Sequence, residues 1–185
     1  MTQIDSHIVA RCQEGDKDAF QWVVMTYQQM VFSLALKMLA DEEEAKDVVQ
    51  EAFMRVWQGI RDYDLDKPFS TWLYAITSRL CLDKLKSAHR HHFAPCDEQA
   101  LRLFAHDSDN QRSLENKEWV SIVRTLAEGL STKQRLVFTL CQLEGLTSTE
   151  VEHITGMNAL QVKTNLYLAR RTIRKRLIAL GYGQD

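Results

Sequence analysis

Residues 147–177 read TSTEVEHITGMNALQVKTNLYLARRTIRKRL. Thr147 followed by Glu150, and Asn158 followed by Gln161, are capping boxes, in which the residue that opens a helix and the one three places on satisfy each other's backbone donors. Gly156 between them is placed to end a helix in the left-handed conformation. The stretch therefore predicts a short helix over 148–155, a Gly-Met-Asn turn and a longer helix over 159–179: the outline of a helix-turn-helix. An αα-hairpin that only packs has the same outline. The second helix separates the two readings. Val162, Leu166, Ala169, Ile173 and Leu177 fall within roughly 80° of one another at 3.6 residues per turn. Leu160, Lys163, Thr164, Tyr167, Arg171 and Arg174 point the opposite way. Residues 159–184 hold six bases and no acid. A helix that lies in a DNA groove needs base-reading side chains early and phosphate-binding cations later. Lys163, Thr164 and Asn165 suit base edges, Tyr167 suits a sugar or thymine methyl, and Arg170, Arg171 and Arg174 suit phosphates.

Upstream, Ser131 with Gln134 makes another capping box and predicts a helix near 132–143, which Gly145 would end. A further helix is expected near 115–128. Residues 89–113 mix histidine, Pro95, acids and a short apolar patch, and read as a linker. A flexible chain of about 25 residues spans on the order of 25–30 Å, so the parts on either side could separate or close. His89, His91, His92, Cys96 and His106 match no tetrahedral finger spacing, so a solvated linker is expected rather than a metal site.

The front of the chain carries the opposite charge. Residues 1–66 hold thirteen acids and six bases, although the whole chain has a formal charge of only −2. A basic protein surface should meet the front and a polyanion the back. Phe20, Val23, Val24, Tyr27, Val31, Leu34, Ala35 and Met38 recur at helical spacing over 17–39. Asp41 with Glu44 predicts a capping box before a helix whose core stripe is Ala45, Val49, Ala52, Val56 and Ile60. Met54 and Trp57 lie near its far face beside Asp47 and Gln50, with Phe53 at the margin. An aromatic and a methionine among carboxylates suit a protein-binding surface, unless a third helix covers them. Pro68 suits the first turn of a helix over 68–88 that buries Phe69, Trp72, Leu73, Ile76 and Leu80. Thr71, Tyr74 and Ser78 share its polar face, with Arg79 and Lys86 on the flank. Such a face suits single-stranded nucleic acid, although a stripe containing Phe69 and Trp72 is more often simply core.

Composition removes other classes. Apolar residues make up 45 % of the 185, with two prolines and seven glycines, which argues against a β-rich or a disordered chain. No run of about 18 apolar residues predicts a membrane span, and the first residues lack the pattern of a secretion signal. Four scattered cysteines without a C-x-x-C pair read as free thiols in a reducing cytoplasm. The expected fold class is all-α: two small helical domains joined by a flexible linker, spanning 1–92, 93–114 and 115–185.

The stretch DEEEAKDVVQEAFMRVW, followed by FSTWLYAITSRLCLDKLK, resembles conserved region 2 of bacterial extracytoplasmic-function (ECF) sigma factors. RLVFTLCQLEGLTSTEVEHITGMNALQVKTNLYLARRTIR resembles region 4 of the same family, and the two occur in the family's order. The resemblance implies that the first domain binds core RNA polymerase through Asp47, Gln50 and Glu51, with Phe53, Arg55 and Trp57 beside them. It implies that the loop Asp62–Lys67 and the start of the next helix capture a flipped base of the −10 element, so Lys67 and Ser70 join Thr71, Tyr74, Ser78 and Arg79. Region 4 would read the −35 element through Leu160, Lys163, Thr164, Asn165, Tyr167, Arg170, Arg171 and Arg174. The family often has Asn at the position of Arg79, Arg at Asn165, a base at Leu168, and Ala and Leu at Glu152 and Thr155. No catalytic residue, cofactor, metal or small-molecule substrate is expected. Core polymerase, promoter DNA and an anti-sigma factor, in many relatives held at a membrane, are the partners implied. The rival reading is a stand-alone helix-turn-helix regulator, which needs dimerisation and paired half-sites. An enzyme built on the His/Cys cluster has no acid–base pair to support it.

Overall fold

The computed structural model describes residues 4–91, 124–126 and 129–181. Among these the chain is helical without a strand. Helix α1 spans Ser6–Gln13, α2 Lys17–Leu39, α3 Glu42–Gly59 and α4 Phe69–His91, with one 3₁₀ turn at Ile60–Asp62. The C-terminal half follows with α5 over Thr132–Phe138, a π-helical turn over Thr139–Leu143, α6 over Ser148–Thr155 and α7 over Ala159–Ala179.

Side-chain caps set most of the helix starts. Asp16 Oδ1 accepts from the backbone amides of Asp18 and Ala19 at 2.9 and 3.0 Å. Asp41 accepts from Glu44 N at 3.0 Å, but the return half of the expected box is missing, because the Glu44 carboxylate turns to Lys84 on α4. The boxes at Ser131/Gln134, Thr147/Glu150 and Asn158/Gln161 are each complete. Helix α4 begins one residue after Pro68, whose carbonyl accepts from Thr71 and Trp72. Left-handed backbone caps α6 at Gly156, φ 69°, and, without a glycine, α2 at Ala40, φ 53°. Arg124 donates to the Ala40 carbonyl at 3.1 Å, tying the C-terminal half to the end of α2.

Helix α2 is the central column. Val23, Val31, Leu34, Ala35 and Met38 are almost wholly buried against α3 and α4, with α1 laid across the side. On α3 the core positions are Ala45, Val48, Ala52, Phe53 and Val56. Val48 rather than Val49 faces inward, and Phe53 is inside because Phe20 of α2 meets its edge at 6.4 Å between ring centres. The helix expected over 132–143 is broken into α5 and the π turn, in which Glu144 N bonds to Thr139 O and Leu146 N to Leu140 O. The buried side chains of α5, α6 and α7 (Leu136, Val137, Leu140, Val151, Ile154, Val162) are continuous with those of α1–α4. The junction is α4 against α5 and α6.

That junction corrects one expectation. Tyr74 and Ser78, placed on a polar face of α4 by the pattern, are 2 % and 3 % exposed, because residues distant in sequence cover them. The linker 93–114 and most of the helix near 115–128 lie outside the described residues, as do His92, Cys96 and His106.

Two outcomes follow from this packing. Replacing Leu34 by Ala should cost about 2–5 kcal/mol, read as a lowered urea midpoint by circular dichroism, whereas Trp22→Ser, at a 61 % exposed position, should stay within about 0.5 kcal/mol. Burial pushes the Cys81 thiol up to about 12, so at pH 8 it should resist a thiol-specific disulfide reagent in the native chain and react once unfolded.

Candidate nucleic-acid and protein interfaces

Three surfaces carry the residues singled out in the sequence. The first is the outward face of α3. Asp47, Gln50 and Met54 recur at three- and four-residue spacing, which aligns them on one side of the helix; all three are exposed, Met54 by 56 %. Asp47 lies 3.3 Å from Lys84, and Glu51 pairs with Arg55 at 2.8 Å. Both pairs are largely exposed, so their net strength is small and a competing cation can replace either partner. Trp57 is half-buried with its ring 4.8 Å from that of Phe20. Phe53 lies beneath it, 7 % exposed, and supports the face rather than forming it.

The second surface is the loop between the 3₁₀ turn and α4. Tyr63 stacks on Trp72 at 4.7 Å and meets the edge of Phe69 at 5.4 Å, and its hydroxyl donates to the Lys67 carbonyl. Burial, followed by the nearby Asp64 carboxylate, pushes the Tyr63 hydroxyl up to about 12, so it remains a donor. Asp64 accepts from Asp66 N at 3.1 Å and pairs with Lys67 at 3.2 Å. These contacts hold its carboxyl below the usual range. Gln13 of α1 donates to the carbonyls of Ile60 and Tyr63 at 3.0 and 2.7 Å and so fixes where the loop starts. Neither Gln13 nor α1 was legible as part of this site; a polar residue in a short N-terminal helix leaves no periodic signal. A cleft of about 410 Å³ opens beside the loop, with residues 4–6 and Val9 on one side, Asp5 among them, and Tyr63, Leu65, Lys67 and Phe69 on the other.

The six residues expected at the −10 element divide into three groups. Lys67 is exposed, and Ser70 and Thr71 are half-exposed at the start of α4 near the stacked rings. Tyr74 and Ser78, one and two turns further on, face the C-terminal helices. Arg79 is exposed on the rim of a second cleft, of about 800 Å³, between α4 and the α6–α7 turn.

The third surface is the outer side of α7. Leu160 is 73 % and Tyr167 64 % exposed, and Lys163, Thr164, Arg170, Arg171 and Arg174 are exposed with them. Val162, Ala169 and Ile173 face inward. No carboxylate pairs with Lys163, Arg170, Arg171 or Arg174 among the described residues. Asn165 is half-exposed and its amide donates to the Gln161 carbonyl at 2.8 Å, so in this state it is folded back along the helix. In α6 the Thr155 hydroxyl donates to Val151 O at 2.6 Å and accepts from Met157 N at 3.3 Å, which ties the helix end to the turn.

Comparison with known proteins agrees with this arrangement. Residues 23–91 match the family model of sigma-70 region 2 and residues 121–173 that of sigma-70 region 4. The chain is 26 % identical over 176 residues to the ECF RNA polymerase sigma factor SigW of Bacillus subtilis, covering 91 % of this chain and 94 % of the relative. It is 28 % identical over 183 residues to the RNA polymerase sigma-H factor of Pseudomonas aeruginosa, covering 94 % and 93 %. In fold it is similar to CnrH, solved in complex with the cytosolic domain of CnrY, at a TM-score of 0.72 and 23 % identity over 95 % of this chain and 97 % of that one. It is also similar to the sigma factor RpoE of Bartonella quintana, solved with the anti-sigma factor NepR, at 0.66 and 18 % over 88 % and 98 %. With both sigma regions in order on one helical chain, and relatives matched along nearly their whole length, this protein belongs to the ECF group of sigma-70 family RNA polymerase sigma factors.

Proposed function

We propose that this chain is a dissociable promoter-specificity subunit: it docks on core RNA polymerase through α3, opens the −10 element at the 62–71 segment and reads the −35 element with α7. One observation carries the reading. A single chain displays a helix with unpaired cations on the outside of a helix-turn-helix and, on a separate helix, an acidic face centred on an exposed methionine. The cations fit phosphates, and the acidic face fits a basic protein surface. Sigma factors are transcription initiation factors rather than enzymes, and every step required here is binding.

The loop supplies what strand separation needs. Extracting a base from the stack costs a few kcal/mol. The cleft beside the loop, with Tyr63 and Phe69 in its wall and Asp5 and Lys67 at its edge, offsets part of that cost by stacking. The docked polymerase supplies the remainder, so the free protein should bind promoters weakly. A subunit with this role works in the cytoplasm, with the genome and the polymerase. The anti-sigma factor NepR, solved with a sigma factor of similar fold, supports an inhibitory protein partner for this chain. A stand-alone regulator would instead dimerise and bind an operator without polymerase.

Mixed with purified core polymerase, the chain should co-elute in gel filtration and start transcription from a subset of a random promoter library. Asp47→Ala combined with Gln50→Ala should lower affinity for core about tenfold or more with an unchanged circular dichroism spectrum. Tight operator binding by the free chain, with no effect of core enzyme, would favour the stand-alone regulator.

Replacing Arg171 and Arg174 together by Ala should weaken binding to −35 duplexes of any sequence. It should also reduce the slope of log affinity against log salt by about 2, near 0.9 per lost phosphate contact. Lys163→Ala should instead change which sequence is preferred, as read by competition among −35 variants.

A further inference from the structure

Helix α3 carries five acids, Glu42, Glu43, Glu44, Asp47 and Glu51, against two bases of its own. Each of the acids is paired. Within the helix, Lys46 lies 3.2 Å from Glu42 and 2.7 Å from Glu43, and Arg55 lies 2.8 Å from Glu51. Glu44 and Asp47 share a cation from elsewhere: Lys84, in the second half of α4, bonds to Glu44 and lies 3.3 Å from Asp47. Among the described residues Lys84 is the one cation outside α3 that pairs with an acid of α3.

This contact contributes little to the fold. The side chains of Lys84, Glu44 and Asp47 are 31 %, 50 % and 67 % exposed, and pairs in such surroundings add little net stability. Glu44 gives up the return half of its capping box to reach Lys84. Without Lys84 the carboxylate is free to turn back to the Asp41 amide. The charge matters more than the bond. Asp47 shares one side of α3 with Gln50 and the exposed Met54, and a cation at its end weakens the negative potential that would draw in a basic surface.

We propose that Lys84 sets the affinity of the α3 interface: it is a built-in counter-ion that offsets Asp47 and Glu44 and so lowers the pull of that face on a basic protein partner. The identity of the partner, core polymerase, rests on the function proposed above.

Affinity and rates are measured by biolayer interferometry, with the full chain binding immobilised core polymerase at several salt concentrations. Lys84→Gln should bind about threefold more tightly at low salt, the scale of one exposed ion pair. The gain should lie mainly in the association rate and fade as salt screens the face. Lys84→Arg, which keeps the charge, should bind as the unaltered chain does. In an Asp47→Asn background the gain from Lys84→Gln should shrink, because one of the two acids it releases is already neutral. Circular dichroism checks that each variant is folded, and Lys84→Met takes the place of the glutamine variant if that one is not. Unchanged or weaker binding by the neutral variant, an equal gain in Lys84→Arg, or a gain undiminished by Asp47→Asn would each overturn the counter-ion. Failure of the unaltered chain to bind core would overturn the functional reading and this inference with it, whereas binding without the gain removes the inference alone.

Discussion

Helix α4 must be covered on two sides, and the arrangement of the molecule follows from that. One stripe, Phe69, Leu73 and Leu80, belongs to the N-terminal bundle; the other, Tyr74, Ser78 and Cys81, lies under the C-terminal helices. The second stripe is chemically mixed, and its hydroxyls fare differently. Thr77 donates back to Leu73 O at 2.8 Å within its own helix, and Tyr74 reaches Glu144. Ser78 finds nothing. A purely structural interface would place an aliphatic residue there.

The electrostatics run against the gross charge division. The N-terminal half is acidic and the tail basic, yet the pair that joins them takes its base from α2 and its acid from the residue following the π turn. Such a pair adds little net stability, because desolvating both ions offsets most of their attraction. Its value lies in register: only one docking of the halves satisfies Lys37, Glu144 and Tyr74 together. The pair adds definition to a junction whose apolar part is a buried core continuous across the two halves.

What could be read from the chain alone was whatever depends on near neighbours. The caps at Ser131, Thr147 and Asn158 need only a residue three places on, and each stands in the structure as read. The cationic side of α7 was legible for the same reason. Errors appear where a distant segment decides. Phe53 lies inside because Phe20 reaches it, and Tyr74 and Ser78 are covered by helices more than fifty residues away. Glu44 abandons its own helix start for Lys84. Resemblance supplied the roles of the loop and of α3, but it carried no signal for Gln13 holding that loop or for Glu144 joining the halves.

The winding at Thr139–Leu143 has a consequence for length. A π turn holds one residue more than the α-helical turn it replaces, so the extra residue is absorbed within that turn and the flanking helix positions keep their places. A chain with the same side chains and one fewer residue in TLCQL would wind there as plain α-helix, with Glu144 still at its end. At this point in the molecule a change in length is taken up locally and is not passed on to the helices that follow.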